Sequence, residues 1–312
     1  MTLKNILLAG AALALSVNVA AAKDLKSIGI SLGSMGNPFF VALAKGATDE
    51  ARKTNPDVKV ITLGFDYDLG KQFTQVDNFI AAGVDMILLN PGDPRAIGPA
   101  IKKAQAAGIV VVSVDTVAEG SNVTVATDNV QAGTISCQYL ADKMGGKGNV
   151  VIVNGPQVSS VVDRVDGCKK VIAANAGMKL LSSDQDAKGS RDGGLAVAQS
   201  LLTRFAQVDG VFAINDPTAI GVALAAKQMS RPNMVITAVD GSPDIESALK
   251  DPALAQVLAS SSQDPYAMAR KAVAEGVQIL GGAKPANPVT LLPSVLVTRD
   301  NIGSYKGWTA AR

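Results

Sequence analysis

Two doubly wound parallel α/β domains are the fold class that the sequence predicts. Three observations lead there: strand-like runs that are apolar throughout, helix-patterned blocks that follow almost every run, and about four or five such units in each half of the chain. Strands apolar on both faces belong in parallel sheets covered by helices on both sides. A closed eight-stranded barrel is the rival. It wants one unbroken ring of units, whereas the cycle breaks near 117–128, where two strand-like runs adjoin without a helix. That break reads as a crossing between domains.

In order, SIGISLG (27–33) is an apolar run between glycines, and Pro38 opens a helix to Lys53, its ring suited to a first turn. KVITLGF (59–65) is β-branched, and 69–82 is helical in pattern. MILLNP (86–91), a helix over 95–107 and VVVSVDT (110–116) repeat the cycle. VTVATD (123–128) follows, with Asp128 an N-cap for a helix over 129–144. The second half starts with NVVIVNG (149–155), a helix from about 160, MKLLSS (178–183) and a helix over 191–205. GVFAIND (210–216), a helix over 217–228, MVITAVDG (234–241) and a short helix over 243–250 come next. AQVLASS (255–261), a longer helix over 265–280 and VTLLPSVLV (289–297) close the pattern.

The N-terminus carries one Lys, an apolar run from Ile6 to about Leu15, and small residues to Ala22 before Lys23-Asp24. This predicts a secretory signal peptide over 1–22, cleaved after Ala22. The run is shorter than the roughly 18–20 residues of a membrane span. No Cys sits near the cut, so a lipoprotein is excluded. Loss of Lys4 takes Lys+Arg from 29 to 28 against 27 Asp+Glu, a mature charge of +1 without basic runs. Nucleic acid and membrane surfaces, which need clustered Lys and Arg, are therefore poor partners. Two cysteines, Cys137 and Cys168, in an exported chain favour a disulfide over two buried thiols. Histidine is absent, which removes the commonest general base, the commonest transition-metal ligand and every Ser-His or Cys-His pair. No enzyme activity, metal or cofactor is expected.

Ligands of open parallel sheets bind beyond the carboxyl ends of the strands. Standing there are Asn37 with Phe39 and Phe40, Asn90 with Asp93, Asp115-Thr116, Arg164, Asn215-Asp216, Asp240 and Gln263. Carboxylates take a hydroxyl's proton, while Arg and amide NH₂ groups feed its lone pairs. A Phe face packs on the C–H face of a sugar ring. The set suits a neutral polyhydroxylated ligand, and two Asp against one Arg disfavour phosphate. Each residue also has a plainer use. Strand-end Asn and Asp often only form turns or caps, Asp128 and Asp216 are assigned mainly to capping, and Phe40 suits the core equally well.

The pieces NPFF (37–40), AAGVDMILLNPGDP (81–94), AAGIVVVSVDT (106–116), ATDN (126–129), DRVDG (163–167), GVFAIND (210–216), AVDGSPD (238–244) and SQDPYAMA (262–269) occur in this order. In them the chain resembles the periplasmic monosaccharide-binding proteins of the ribose-binding type, which serve ABC transporters, over essentially the whole mature length. The resemblance implies two Rossmann-like domains joined by a three-crossing hinge with the ligand in the cleft. One lobe would comprise 23–127 plus 264–291, the other 128–263 plus 292–312. Carried over by position, Asn37, Phe39, Phe40, Asp115, Arg164, Asn215, Asp240 and Gln263 match ligand-contacting positions, and Asn90 a less regular one. Thr116 stands where the family often has Arg, Val239 where a ring is common, and DAKGSRDGG where a further ring often projects. These departures leave room for another pentose or hexose, or for a flexible polyol, and Thr116 joins the candidate site. The implied partners are a small neutral sugar or polyol and a membrane ABC permease, with a chemoreceptor compatible and a monomer expected. A polyol or autoinducer-type ligand feeding signalling or chemotaxis is the alternative.

Two rival classes fare worse. Gly29, Gly33 and Gly36 do not form G-x-G-x-x-G, no G-x-x-x-x-G-K-[ST] occurs, and Pro38 removes an N–H donor that a phosphate loop would use. A regulator sharing the two-domain core needs a DNA-reading segment where this chain has its export signal.

Overall fold

A computed structural model of the protein describes residues 23–308. The signal peptide read over 1–22 and the last residues of the second lobe, 309–312, lie outside the described residues. Among the described residues no helix is long and apolar enough to cross a membrane.

The first half builds β1 (Ser27–Leu32), α1 (Pro38–Thr54), β2 (Lys59–Gly64), α2 (Leu69–Ala81), β3 (Met86–Leu89), α3 (Gly98–Ala106), β4 (Val110–Val114) and β5 (Val123–Thr127). The second builds α4 (Asn129–Lys143), β6 (Lys147–Val153), α5 (Ser159–Ala174), β7 (Gly177–Ser182), α6 (Arg191–Arg204), β8 (Gly210–Ala213) and α7 (Asp216–Gln228). It continues through β9 (Val235–Asp240), α8 (Pro243–Lys250), a 3₁₀ turn at Pro252–Leu254, β10 (Val257–Ser262) and α9 (Pro265–Leu280). β11 (Val289–Leu292) and β12 (Leu296–Thr298) end the order.

Two six-stranded sheets result, ordered β11-β5-β4-β3-β1-β2 and β12-β10-β9-β8-β6-β7. All pairs are parallel except β10 with β12. The order around each opening strand reverses between β1 and β3 and again between β6 and β8. In such sheets the crevice for a ligand lies at that reversal. The chain passes between sheets after β5, after β10 and after β11.

Strand burial follows from helices on both faces. In β3, Met86 and Leu88 face the cluster formed with α1 and α9, while Ile87 and Leu89 face the cluster formed with α2 and α3. In the second lobe α6, α7 and α8 cover one face, and α4 and α5 the other. The contact between α4 and α5 depends on glycine. A Cβ on Gly133 would collide with the Arg164 backbone, and one on Gly167 would come within 2.5 Å of the Val130 carbonyl oxygen. That approach brings Cys137 and Cys168 to a Cα–Cα distance of 5.0 Å, and they form a disulfide. Closing 31 residues of chain contributes about 3–4 kcal/mol through the unfolded state.

Two elements differ from the sequence expectation. VTLLPSVLV is not one strand: Pro293 cannot donate to a ladder, and the chain leaves the first sheet there and joins the second as antiparallel β12. The helix expected over 95–107 starts at Gly98 because Asp93 Oδ1 accepts from the Arg95 and Ala96 N–H groups at 2.8 and 2.7 Å, holding 93–97 as a turn.

Candidate functional site

The carboxyl ends of both sheets face one another across a cavity of about 40 Å³, room for about three water molecules. An open small-molecule site measures roughly 300–1,000 Å³, so the two lobes are closed. Asn37, Phe39, Phe40, Asn90 and Asp115 line it from the first lobe, Arg164, Asn215 and Asp240 from the second, with Gln263 at a crossing. A larger, more open groove lies beside β12, lined by Pro293, Val295, Leu296 and Val297 with Tyr305. It shares Gln263 but gathers none of the buried carboxylates or Arg164.

Asn37 caps α1, accepting the Phe39 N–H at 3.0 Å. Pro38 then starts the helix, and Phe39 and Phe40, 4% and 3% exposed, turn inward. The rings meet edge to face, with centroids 5.3 Å apart. A Cβ on Gly33 would fall 2.6 Å from Phe40 Cζ. The glycine therefore seats an aromatic ring, and Phe40 is buried in the first-lobe core while it also lines the cavity.

Asp115 directly follows β4 and Asp240 ends β9, at φ 67° and 143°, regions that non-glycine residues rarely occupy. Such conformations cost about 1–3 kcal/mol each and cluster at functional sites. Asn90 Nδ2 donates to Asp115 Oδ2 and to Thr116 Oγ1, each at 3.0 Å. Thr116 Oγ1 donates in turn to the Pro91 carbonyl at 3.0 Å. Thr116 is therefore not among the lining residues. Successive strand residues point to opposite sides, and with Asp115 turned inward its neighbour braces Asn90 from behind.

Arg164 is 4% exposed. Its Nε donates to Asn129 Oδ1 at 2.8 Å and its Nη1 to the Ile214 carbonyl at 2.9 Å, with Asp240 Oδ1 3.7 Å from Nη1. Gln263 Nε2 donates to Asp240 Oδ1 at 2.7 Å, while its Oε1 accepts from Thr127 Oγ1 at 2.7 Å. Asn215 caps α7, accepting from the Thr218 N–H at 3.1 Å, and donates to the Gly189 carbonyl at 2.9 Å.

Burial pushes the Asp115 carboxyl up to about 6, with Asp240 adding to the rise and Arg164 and the Asn90 bond opposing it. Burial also pushes Asp240 up to about 6, against Arg164 and Gln263. Asp216 is raised well above the ordinary range by burial and then by Asp240. The sequence assigned Asp216 to capping; the cap of α7 is Asn215, and Asp216 instead accepts the Ser242 N–H at 2.7 Å and the Ser260 hydroxyl at 2.6 Å, tying α8 to β10. Asp128 does cap α4, accepting from the Gln131 N–H at 2.9 Å.

Tyr67, Pro156, Val158, Ser160, Val161, Gly189 and Ile214, none of them a candidate in the sequence, also line the cavity. Tyr67 and Gly189 have positive φ, 61° and 59°. The DAKGSRDGG loop, which lacks an aromatic ring, places Gly189 in the wall. Beside the cavity the Val117 N–H donates across the lobes to Ser159 Oγ at 2.8 Å, and the sole tryptophan, Trp308, donates from Nε1 to the Gln263 carbonyl of its own lobe at 2.9 Å while meeting Phe39 of the other lobe edge-on.

Residues 28–284 match the family described as periplasmic binding protein domain. The chain is similar to the ribose import binding protein RbsB of Bacillus subtilis (strain 168), 36% identical over 262 residues, which cover 83% of each chain. It is similar to the xylitol-binding protein of Mycolicibacterium smegmatis, 31% identical over 291 residues, 91% of this chain and 80% of the relative. Among solved structures, the Caulobacter myo-inositol binding protein bound to myo-inositol superposes with a TM-score of 0.81 at 26% identity, covering 92% of this chain and 97% of that one.

Proposed function

We propose a function that proceeds from one premise: the chain belongs to the periplasmic binding protein family. Its relatives include a ribose import binding protein, a xylitol-binding protein and a myo-inositol binding protein, and this chain is a sugar- or polyol-binding component of an ABC import system. The observation that carries the reading is convergence. Side chains from both sheets, dominated by buried Asp115, Arg164 and Asp240, meet at one closed cavity beneath Phe40.

The chemistry follows from donor and acceptor counts. Asp115 and Asp240 accept ligand O–H groups, Arg164 donates to ligand oxygens, and Asn37, Asn90, Asn215 and Gln263 do either. Two lining carboxylates against one guanidinium repel phosphate and favour a neutral ligand. Phe39 and Phe40 give its C–H face an apolar wall. Entry requires the lobes to part about the crossings after β5, β10 and β11. The ligand bonds both lobes only when they close, and this difference in contacts shifts the population. The closed form is what a permease would read. In the same proposal the lobes comprise 23–127 plus 264–291 and 128–263 plus 292–312, and the protein is exported to the periplasm and works as a monomer. Delivery to a chemoreceptor is compatible with uptake.

Calorimetric titration of residues 23–312 with pentoses, pentitols, hexoses and inositols tests this reading. A saturable 1:1 isotherm is expected for at least one, with Arg164→Ala losing about tenfold to a hundredfold in affinity, the equivalent of about 1.5–3 kcal/mol for a charge-assisted bond. Unchanged affinity in that variant would remove Arg164 from the site.

A further inference from the structure

Resting on that reading, we propose that Tyr67 is a specificity-determining ligand contact, an aromatic lid from the first lobe that admits compact four- and five-carbon polyols or sugars and turns away six-carbon rings. The loop between β2 and α2 is built to aim it. Asp66 and Tyr67 are consecutive non-glycine residues at φ 52° and 61°, a costly pair that persists only when its surroundings impose it. The surroundings do so. The Asp66 N–H donates to the Gly33 carbonyl at 2.9 Å, Lys71 Nζ donates to Asp66 Oδ2 at 2.7 Å, and the Asp68 N–H donates to the Phe65 carbonyl at 2.9 Å.

The ring stands edge-on between Phe40 and Phe65, with centroids 6.4 and 5.9 Å away. A Cβ on Gly33 would come within 3.2 Å of Tyr67 Cζ, so the same glycine that seats Phe40 seats this ring. Tyr67 packs against the core of its own lobe and also against the α5-side core of the other, although no main-chain crossing lies there. It therefore fits only when the lobes are closed.

Its hydroxyl lies in the field of Asp115, Asp240 and Arg164, and burial with the two carboxylates pushes its ionisation upward. The phenol stays a neutral donor and acceptor, suited to one ligand hydroxyl between two carboxylates. No hydrogen bond from it is made among the described residues. The facing wall carries no ring: Pro156, Val158, Val161, Gly189 and Ile214 form it. A flat six-carbon ring thus has aromatic support on one side only, and on that side Tyr67 narrows the cavity beside Phe40. The cavity of about 40 Å³ is smaller than any of these ligands, so Tyr67 must give way on binding, and a compact or acyclic polyol asks for the smaller displacement.

The test is titration of wild type, Tyr67→Phe and Tyr67→Ala with erythritol, xylitol and D-ribose against D-glucose and myo-inositol, with melting curves of each ligand-free protein. The wild-type titrations read sugar or polyol binding itself; the variants read the lid. At least one compact probe should bind wild type tenfold or more tighter than both six-carbon rings. Tyr67→Phe should lose about fivefold to tenfold for that probe with its melting temperature unchanged. Tyr67→Ala should narrow or invert the preference, which loss of stability alone would not do. Equal wild-type affinity for both classes overturns the inference while leaving sugar binding intact, as does a preference unaltered in Tyr67→Ala. Absence of binding to all five probes overturns it together with the functional reading.

Discussion

At the scale of single residues, the buried carboxylates set a pH dependence whose sign can be worked out. Burial holds the Asp115 and Asp240 carboxyls near 6 against an ordinary 3.8. The folded, ligand-free protein therefore holds protons that the unfolded chain has released. Their contribution is present below about pH 4 and is lost as pH rises through 6, about 3 kcal/mol for Asp115 by the shift alone. Ligand hydroxyls that donate to these oxygens favour the charged forms, so binding acts in the opposite direction. Affinity is predicted to fall severalfold between pH 7.5 and pH 5, while the ligand-free contribution of these groups rises. Calorimetry at the two pH values checks this, and stronger binding at pH 5 would contradict it. Much of this residue set was legible because Asp, Asn, Arg and Gln at strand ends announce polar chemistry. Tyr67 was not, because its place depends on two left-handed residues that no spacing rule reveals. Thr116 misled because sharing a dipeptide with Asp115 says nothing about which way each side chain turns.

At the scale of elements, α5 shows one helix serving both lobes. It begins without a side-chain cap, and the Ser159 hydroxyl at its first position accepts instead from the Val117 N–H across the cleft. A hydrogen bond of this kind contributes about 0.5–1.5 kcal/mol, and this one exists only with the lobes closed. Ser159→Ala should weaken ligand binding about twofold to tenfold with little change in ligand-free melting temperature, seen by titration; unchanged affinity would mean the bond does not bias closure. Further along α5, Gly167 and the facing Gly133 let the helices approach, and the disulfide fixes the crossing that carries Arg164 to its place. Strand and helix order was legible because parallel strands apolar on both faces leave a strong pattern. The split of 289–297 at Pro293 needed the topology, since its two halves are alike in composition yet pair with different sheets.

At the scale of the molecule, two sheets of the same strand order turn their carboxyl ends toward each other, and three passages of chain on one side leave the other free to open. The order of the βα units could be read from the sequence. How far the lobes are closed could not, since closure is a relation between surfaces more than 100 residues apart in the chain, such as Thr127 with Gln263, separated by 136. The most direct test of the central claim, closure on a neutral polyhydroxylated ligand, is a thermal-shift measurement on residues 23–312 stripped of ligand. The panel is pentoses, hexoses, tetritols, pentitols and inositols, with amino acids and sugar phosphates as controls. A ligand at 100 times its Kd adds about 2.7 kcal/mol, a rise of several degrees for a chain of this size. Such a rise is expected for at least one neutral sugar or polyol, lost in Arg164→Ala, and none for the controls. A flat response to every neutral compound from folded protein, or a shift by a control alone, would contradict it.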